Sequence, residues 1–133
     1  MSADIAYLDT SAVVKLMVRE QESPVLRREL ARWPRRASAA LLQVELMRAA
    51  RRTGQPALLA AARRQLRTIN LLKLTDSLLD VAAGLPGQSL RSLDAIHIAA
   101  AQALGPELGV LVSYDRRMLD AATAAGLPVI SPA

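Results

Sequence analysis

Hydrophobic positions fall into short solid runs separated by longer stretches with helical spacing. Ile5-Ala6-Tyr7-Leu8 is an apolar run closed by Asp9, and Thr10-Ser11 leads into an amphipathic stretch over residues 12–18. That order predicts a buried strand feeding a helix, with Asp9 or the hydroxyls after it at the helix start. Residues 22–33 read as helix up to Pro34. Residues 37–40 read as a short strand, with Ser38 as the N-cap of a helix running through Arg52. Thr53-Gly54-Gln55-Pro56 is a turn, residues 56–68 a basic helix, residues 69–74 a strand, and Asp76 the cap of a helix to about Leu85. After the break at Pro86-Gly87-Gln88, Ser92 opens a strongly apolar helix through Leu104, ended by Gly105-Pro106. Residues 110–114 form the next strand, closed by Asp115, followed by a helix to Ala125 and an edge strand at Pro128-Val129-Ile130. Strands alternating with helices predict an α/β fold with a mostly parallel sheet of four to five strands, covered on both faces.

The chain has 133 residues, of which 52% are hydrophobic and 22% charged, which predicts one ordinary domain over residues 1–133 with a buried core. No internal repeat or low-complexity linker interrupts it. The 17 basic residues are 15 Arg and 2 Lys against 12 acids, a formal net charge of +5, which favours an anionic partner. The charge is uneven: residues 27–67 carry 11 Arg against Glu29 and Glu45, so a basic middle lies between two acidic ends. There is no Cys, which removes disulfides, thiolate zinc sites and cysteine nucleophiles. His97 is the only histidine, so a zinc site needing several imidazoles is also excluded. A metal here must be held mainly by oxygen, which favours Mg²⁺ or Mn²⁺. The longest uncharged run, residues 121–133, contains two prolines and is too short to cross a bilayer. With no secretory leader either, the expected location is cytoplasmic.

Acids in apolar surroundings are the informative ones. Asp9 and Asp115 each follow an apolar strand directly, and in open parallel sheets ligands bind beyond the carboxyl ends of strands; helix capping is the competing explanation for either one. Asp94 is the only formal charge between Arg91 and Glu107 in a helix apolar enough to be buried over most of its surface. A carboxylate there needs a cation or several donors, unless it caps the first turn near Ser92. His97 lies one turn on, within reach of the same pocket or satisfied in the core. Glu45 is the sole acid of its helix, and an ion pair with Arg48 at i+3 would explain it as well as a ligand role would. Four acids on separate elements predict an oxygen cage for one or two Mg²⁺ or Mn²⁺ ions with several waters. Metal held in this way lowers the pKa of a bound water, aligns it on a phosphodiester and stabilises the leaving oxygen, as in many nucleases.

Tyr7-Leu8-Asp9-Thr10-Ser11-Ala12 with Leu16, residues 38–46 with Glu45, residues 93–101 with Asp94, and Val112-Ser113-Tyr114-Asp115-Arg116-Arg117-Met118-Leu119 occur in this order across essentially the whole chain. Together they resemble the four motifs of the PIN-domain family, specifically the VapC toxins of bacterial toxin–antitoxin pairs. The resemblance implies a three-layer α/β/α sandwich in which Asp9, Glu45, Asp94 and Asp115 ring an acidic pocket and serve as catalytic and metal-holding residues. It implies metal-dependent endoribonuclease activity with Mg²⁺ or Mn²⁺, inhibition by a cognate VapB antitoxin, a homodimer, and contact with operator DNA only through the antitoxin. Ser11 takes the family's supporting hydroxyl position; Thr10, Ser113 and His97 are the other expected supports. Some relatives carry a further acid shortly after the fourth motif's Asp, where this chain has Arg117 and Met118, a difference that bears on a second metal. Asp120 is five residues beyond Asp115 and is expected on the surface.

Arg48, Arg51 and Arg52 share a face of the Glu45 helix, and Arg63, Arg64 and Arg67 cluster on the next. With Arg91 and Arg116 they are candidates to hold RNA phosphates, beside the simpler reading of a solvated basic face. One Trp, two Tyr and no Phe argue against an aromatic base-stacking platform. Val13, Val14, Leu16 and Met17 suit either an antitoxin groove or the core. Two other classes remain open: a noncatalytic basic module that binds nucleic acid or a partner, with the acids as caps, and an aspartate-based phosphotransfer domain. The second fits poorly, because Ser11 stands where a second Asp is wanted and the last Lys is Lys73.

Overall fold

The computed structural model describes residues 3–133. Five parallel strands, β1 (Ile5–Leu8), β2 (Arg35–Ala39), β3 (Asn70–Leu72), β4 (Leu108–Val112) and β5 (Val129–Ile130), form one sheet in the order β3-β2-β1-β4-β5. Among the described residues seven α-helices connect them: α1 (Thr10–Met17), α2 (Ser23–Leu30), α3 (Leu42–Arg52), α4 (Pro56–Arg67), α5 (Asp76–Ala83), α6 (Ser92–Ala103) and α7 (Arg116–Ala124), with a 3₁₀ turn at Gly105–Glu107.

The two-residue period of the strands sorts their side chains onto two cores. Ala6, Leu8, Val110 and Val112 face the helices α1 to α4, where Val13, Leu16, Leu26, Leu30, Leu42 and Leu46 fill the layer. Ile5, Tyr7, Ala37, Ala39 and Leu111 face α5, α6 and α7, packing on Leu78, Ile98, Ala100 and Met118. β1 is buried on both sides, hence its unbroken apolar run. β4 carries Gly109 because a Cβ there would stand 2.1 Å from the Trp33 ring. The sandwich predicted from alternation and resemblance is therefore the fold observed.

Several boundaries differ: β3 is shorter than the expected 69–74, and β4 starts and ends two residues before the expected 110–114, so Ser113 and Tyr114 follow the strand. β2 begins at Arg35 and runs through Ala39, so Ser38 is buried within the strand; Leu41 occupies the N-cap of α3 and makes no side-chain cap bond. At the start of the strand Arg35 is exposed and Arg36 is half-buried. Thr75, one residue before Asp76, caps α5 by accepting from Leu78 N–H at 3.2 Å. Val13, Leu16 and Met17 are core, leaving Val14 alone of that set part-exposed. No helix among the described residues is long and apolar enough to cross a membrane.

Candidate active site

From β1 the chain moves outward to β2 and β3, then crosses back to β4 and β5 on the other side. The switch point therefore lies between β1 and β4, where the loops leaving the two carboxyl ends part and open a crevice. Asp9 and Asp115 sit at the helix starts beyond those two ends, and Asp9 N–H is tied to Val112 C=O at 3.2 Å. Both do cap: Asp9 accepts from Ala12 N–H at 3.0 Å and Asp115 from Arg117 N–H at 3.0 Å.

Capping does not exhaust Asp9. It is 3% exposed, and its carboxylate also accepts from the Ser11 hydroxyl at 2.7 Å and the Ser113 hydroxyl at 2.5 Å. Burial nevertheless outweighs those donors and raises its pKa. Ser11 and Ser113 are held in turn: Ser11 accepts from Tyr114 N–H at 2.8 Å and Ser113 from Asp115 N–H at 3.0 Å. The two serines thus knit the ends of β1 and β4 around one carboxylate.

Glu45 comes from α3 and makes no ion pair with Arg48. It turns inward, where His97 Nε2 lies 3.0 Å from Oε1 and the Thr10 hydroxyl donates to the same oxygen. Burial opposes its charge, but the His97 and Thr10 donors prevail and hold Glu45 below the usual carboxylate range. His97, 2% exposed, is pinned on its far side by the Tyr7 hydroxyl, 2.7 Å from Nδ1. Burial, reinforced by the charges of Asp9 and Glu45, keeps Tyr7 protonated far above the ordinary tyrosine range. A hydroxyl that keeps its proton can donate to Nδ1, and Nε2 faces Glu45. Tyr7 is the residue sequence reasoning missed; a phenol inside a fully buried strand was the available signal, since its hydroxyl needs a partner.

Asp94 lies on the first turn of α6, half-buried, and makes no side-chain hydrogen bond among the described residues. Arg91 holds the N-cap position without a cap bond, so capping does not account for Asp94. Burial raises its pKa, the charge of Asp115 raises it further, and His97, Arg117 and Arg91 pull the other way. Arg117, noted in the sequence only as standing where a further acid could have been, supplies a second cation beside Asp94. Arg116 and Asp120 are exposed on α7.

The four acids come to one end of the sheet, yet among the described residues no three acidic or histidine side chains approach closely enough to ligate a single ion together. The four carboxylates share this end of the sheet without converging on one point. The hydrogen bonds already made by Asp9 and Glu45, and repulsion between Asp94 and Asp115, keep the carboxylates apart. The donor set still fits a hard divalent cation: all oxygen, with excess negative charge at Asp94 and Asp115. An ion of the magnesium type needs only one or two carboxylates beside its waters.

A groove of about 490 Å³ opens beside Glu45, lined by Thr10, Ser11, Val14, Glu45, Arg48 and Arg52, among others. Arg51 is exposed elsewhere on α3, so the structure separates it from its two neighbours. Val44 and Leu93, 59% and 46% exposed, form apolar walls of the same groove.

The PIN domain model matches residues 6–124 of the chain. The chain belongs to the PIN-domain family. Within that family it is 51% identical over 126 residues to ribonuclease VapC46 of Mycobacterium tuberculosis, covering 95% of this chain and 96% of that one. It is 42% identical to ribonuclease VapC35 of the same organism, over 95% and 96% of the two chains. The PIN fold is matched by the VapC20 crystal structure from M. tuberculosis, with TM-score 0.73 and 21% identity over 96% of this chain and 99% of that one. A toxin–antitoxin complex from Klebsiella pneumoniae superposes with TM-score 0.72 and 23% identity, covering 96% and 98%. The phosphotransfer alternative is accordingly set aside, and Asp9 itself argues against it, being buried with both oxygens engaged.

Proposed function

We propose that this PIN-domain chain is a divalent-metal-dependent endoribonuclease that acts as the toxin of a toxin–antitoxin pair. The observation that carries the reading is the set of four acids at the switch point, two of them, Asp94 and Asp115, repelling each other. The relatives named as VapC ribonucleases support it. Asp9, Glu45, Asp94 and Asp115 would hold the ion, with Mg²⁺ or Mn²⁺ suited to an all-oxygen site. When bound, such an ion acidifies water and neutralises charge on the leaving oxygen of a phosphodiester.

The protein's own contribution is arrangement. Ser11 and Ser113 fix the Asp9 carboxylate through its two oxygens. Thr10 and His97 fix Glu45, and Tyr7 fixes His97. Arg48 and Arg52 border the groove and offer guanidinium groups to phosphates flanking the scissile one, with Arg91 beside Asp94 and Arg116 and Arg51 further out. The apolar walls at Val44 and Leu93 suit a protein segment as well as a base, and a VapB-type antitoxin laid along this groove would block the acids. Homodimer formation, a cytoplasmic location and operator contact only through the antitoxin belong to the same reading, as does a single domain over residues 1–133.

The test is cleavage of total RNA by purified protein with Mg²⁺ or Mn²⁺, comparing wild type with Asp94→Asn and adding EDTA. Cleavage by wild type alone, abolished by EDTA, is expected. Equal cleavage by both proteins, or cleavage indifferent to EDTA, sinks the mechanism; a noncatalytic basic module predicts no cleavage by either and unchanged RNA binding.

A further inference from the structure

The opposite end of the sheet carries a second concentration of charge, and its sign is reversed. A cleft of about 470 Å³ opens between the start of β2 and the turn from α4 into β3, lined by Ile5, Pro34, Arg35, Arg36, Ala37, Arg67, Thr68, Ile69 and Asn70. Three arginines line it and no acid does. Arg35 is already satisfied: its guanidinium bonds both oxygens of Asp4, at 3.1 and 3.2 Å from Nε, and reaches Glu107 at 3.0 Å.

Arg36 is different. Alternation along β2 sends it to the other face of the sheet, and it makes no hydrogen bond or ion pair among the described residues. A long side chain can bury its stem and keep its head in water. Arg36 is drawn in further than Arg35: it is half-buried, and burial lowers its pKa with no acid opposing the shift. A charge partly withdrawn from water without a partner carries a cost that an apolar residue of similar size would not. Arg67, exposed at the last turn of α4, supplies a second unpaired guanidinium to the same cleft. The Thr68 hydroxyl is spent on the Gln65 carbonyl at 2.8 Å.

We propose that this cleft binds a phosphate group, with Arg36 and Arg67 as its cationic partners, and that the phosphate is one carried by an RNA backbone far from the cleaved bond. Two guanidinium forks without an acid are the natural partners of a tetrahedral oxyanion and exclude a cation. The cleft opens beside Ile5, the first residue of β1, and Asp9 follows the last, a separation of roughly 13 Å at the rise of a strand. A mononucleotide or dinucleotide at the acids cannot span that distance; a longer or folded RNA that passes around the sheet can. Only this assignment to RNA rests on the proposed ribonuclease activity, and phosphate binding does not.

Thermal unfolding of the full chain with added inorganic phosphate reads the site without any cleavage. Phosphate should raise the wild-type midpoint by a few degrees at saturating concentration, and Arg36→Met should lose that response while unfolding no earlier than wild type in phosphate-free buffer. Arg67→Gln, at an exposed position, should lose part of the response and covers the case in which Arg36→Met folds poorly. Equal phosphate responses in all three proteins would overturn the proposal. RNA binding is then measured in an Asp94→Asn background. Loss of Arg36 should weaken a long folded RNA several-fold, lower its salt slope by about 1, and leave a dinucleotide unaffected. Unchanged binding of the long RNA, with the phosphate response lost, assigns the site to free phosphate or a nucleotide and overturns the RNA assignment.

Discussion

The two ends of one parallel sheet have taken opposite charges and handle them differently. At the carboxyl end, Asp9 and Glu45 are gripped by dedicated side chains, Ser11 and Ser113 for one and Thr10 and His97 for the other. At the amino end, Arg35 is neutralised by Asp4 and Glu107, and Arg36 is left unpaired. Donors that orient a carboxylate without cancelling its charge leave it available to a cation, whereas acids that cancel an arginine end its availability. Under the proposed function Asp9, Glu45, Asp94 and Asp115 would hold the ion and Arg36 would meet a phosphate, while Arg35, paired with Asp4 and Glu107, is structural.

The largest expected effect comes from removing a carboxylate: Asp94→Asn should lower cleavage about 10³-fold or more with the fold intact by circular dichroism, since several kcal/mol of charge stabilisation depend on the ion. Next is the support behind Glu45. Tyr7→Phe deletes only the hydroxyl that holds His97, and about a 10-fold loss in kcat is expected, with metal affinity falling in parallel and KM for RNA nearly unchanged. His97→Gln, which keeps a donor near the Nε2 position, should lose less than His97→Ala; equal losses would reduce His97 to packing.

Smaller effects separate the arginines. Arg48→Gln and Arg52→Gln should each raise KM for RNA and reduce the salt slope by about 1, and Arg51→Gln, outside the groove, should do less. Uniform effects across all three would mean a diffuse field rather than a bordered groove.

The smallest prediction concerns stability. Burial raises the folded-state pKa of Asp9 above its ordinary value of 3.8, so folding favours the protonated form. That contribution is fully present below pH 3.8 and is lost as pH rises through the folded-state pKa. Asp9→Asn escapes the loss, so without divalent ions it should melt above wild type at pH 7, with the gap closing towards pH 4. A variant less stable than wild type at pH 7 would show that the serine bonds to the charged form outweigh its burial.

What the sequence revealed follows from the range of the interactions involved. Asp9 and Asp115 were legible because an acid closing a solid apolar run marks a strand end, and that is local information. Ser38 misled because a hydroxyl before an apolar helix looks like a cap, while its place in β2 depends on pairing with β1 and β3. Glu45 was ambiguous for a similar reason: Arg48 is its neighbour along the helix, but its partner His97 lies 52 residues away. Tyr7 was invisible as a positioning residue because its environment is made by α6, 90 residues on. Arg36 resembled any other member of the basic stretch until the structure placed it, half-buried and unpaired, in a cleft lined by no acid.

The central claim is that the acids at the carboxyl end exist to hold a divalent ion, and thermal unfolding with increasing Mn²⁺ tests it most directly in wild type and Asp94→Asn. Ligand at about 100 times its dissociation constant stabilises a protein by about 2.7 kcal/mol, a shift of several degrees for a chain of this size. The account predicts that rise in wild type and little or none in Asp94→Asn. An equal rise in both proteins, or none in either, would contradict it.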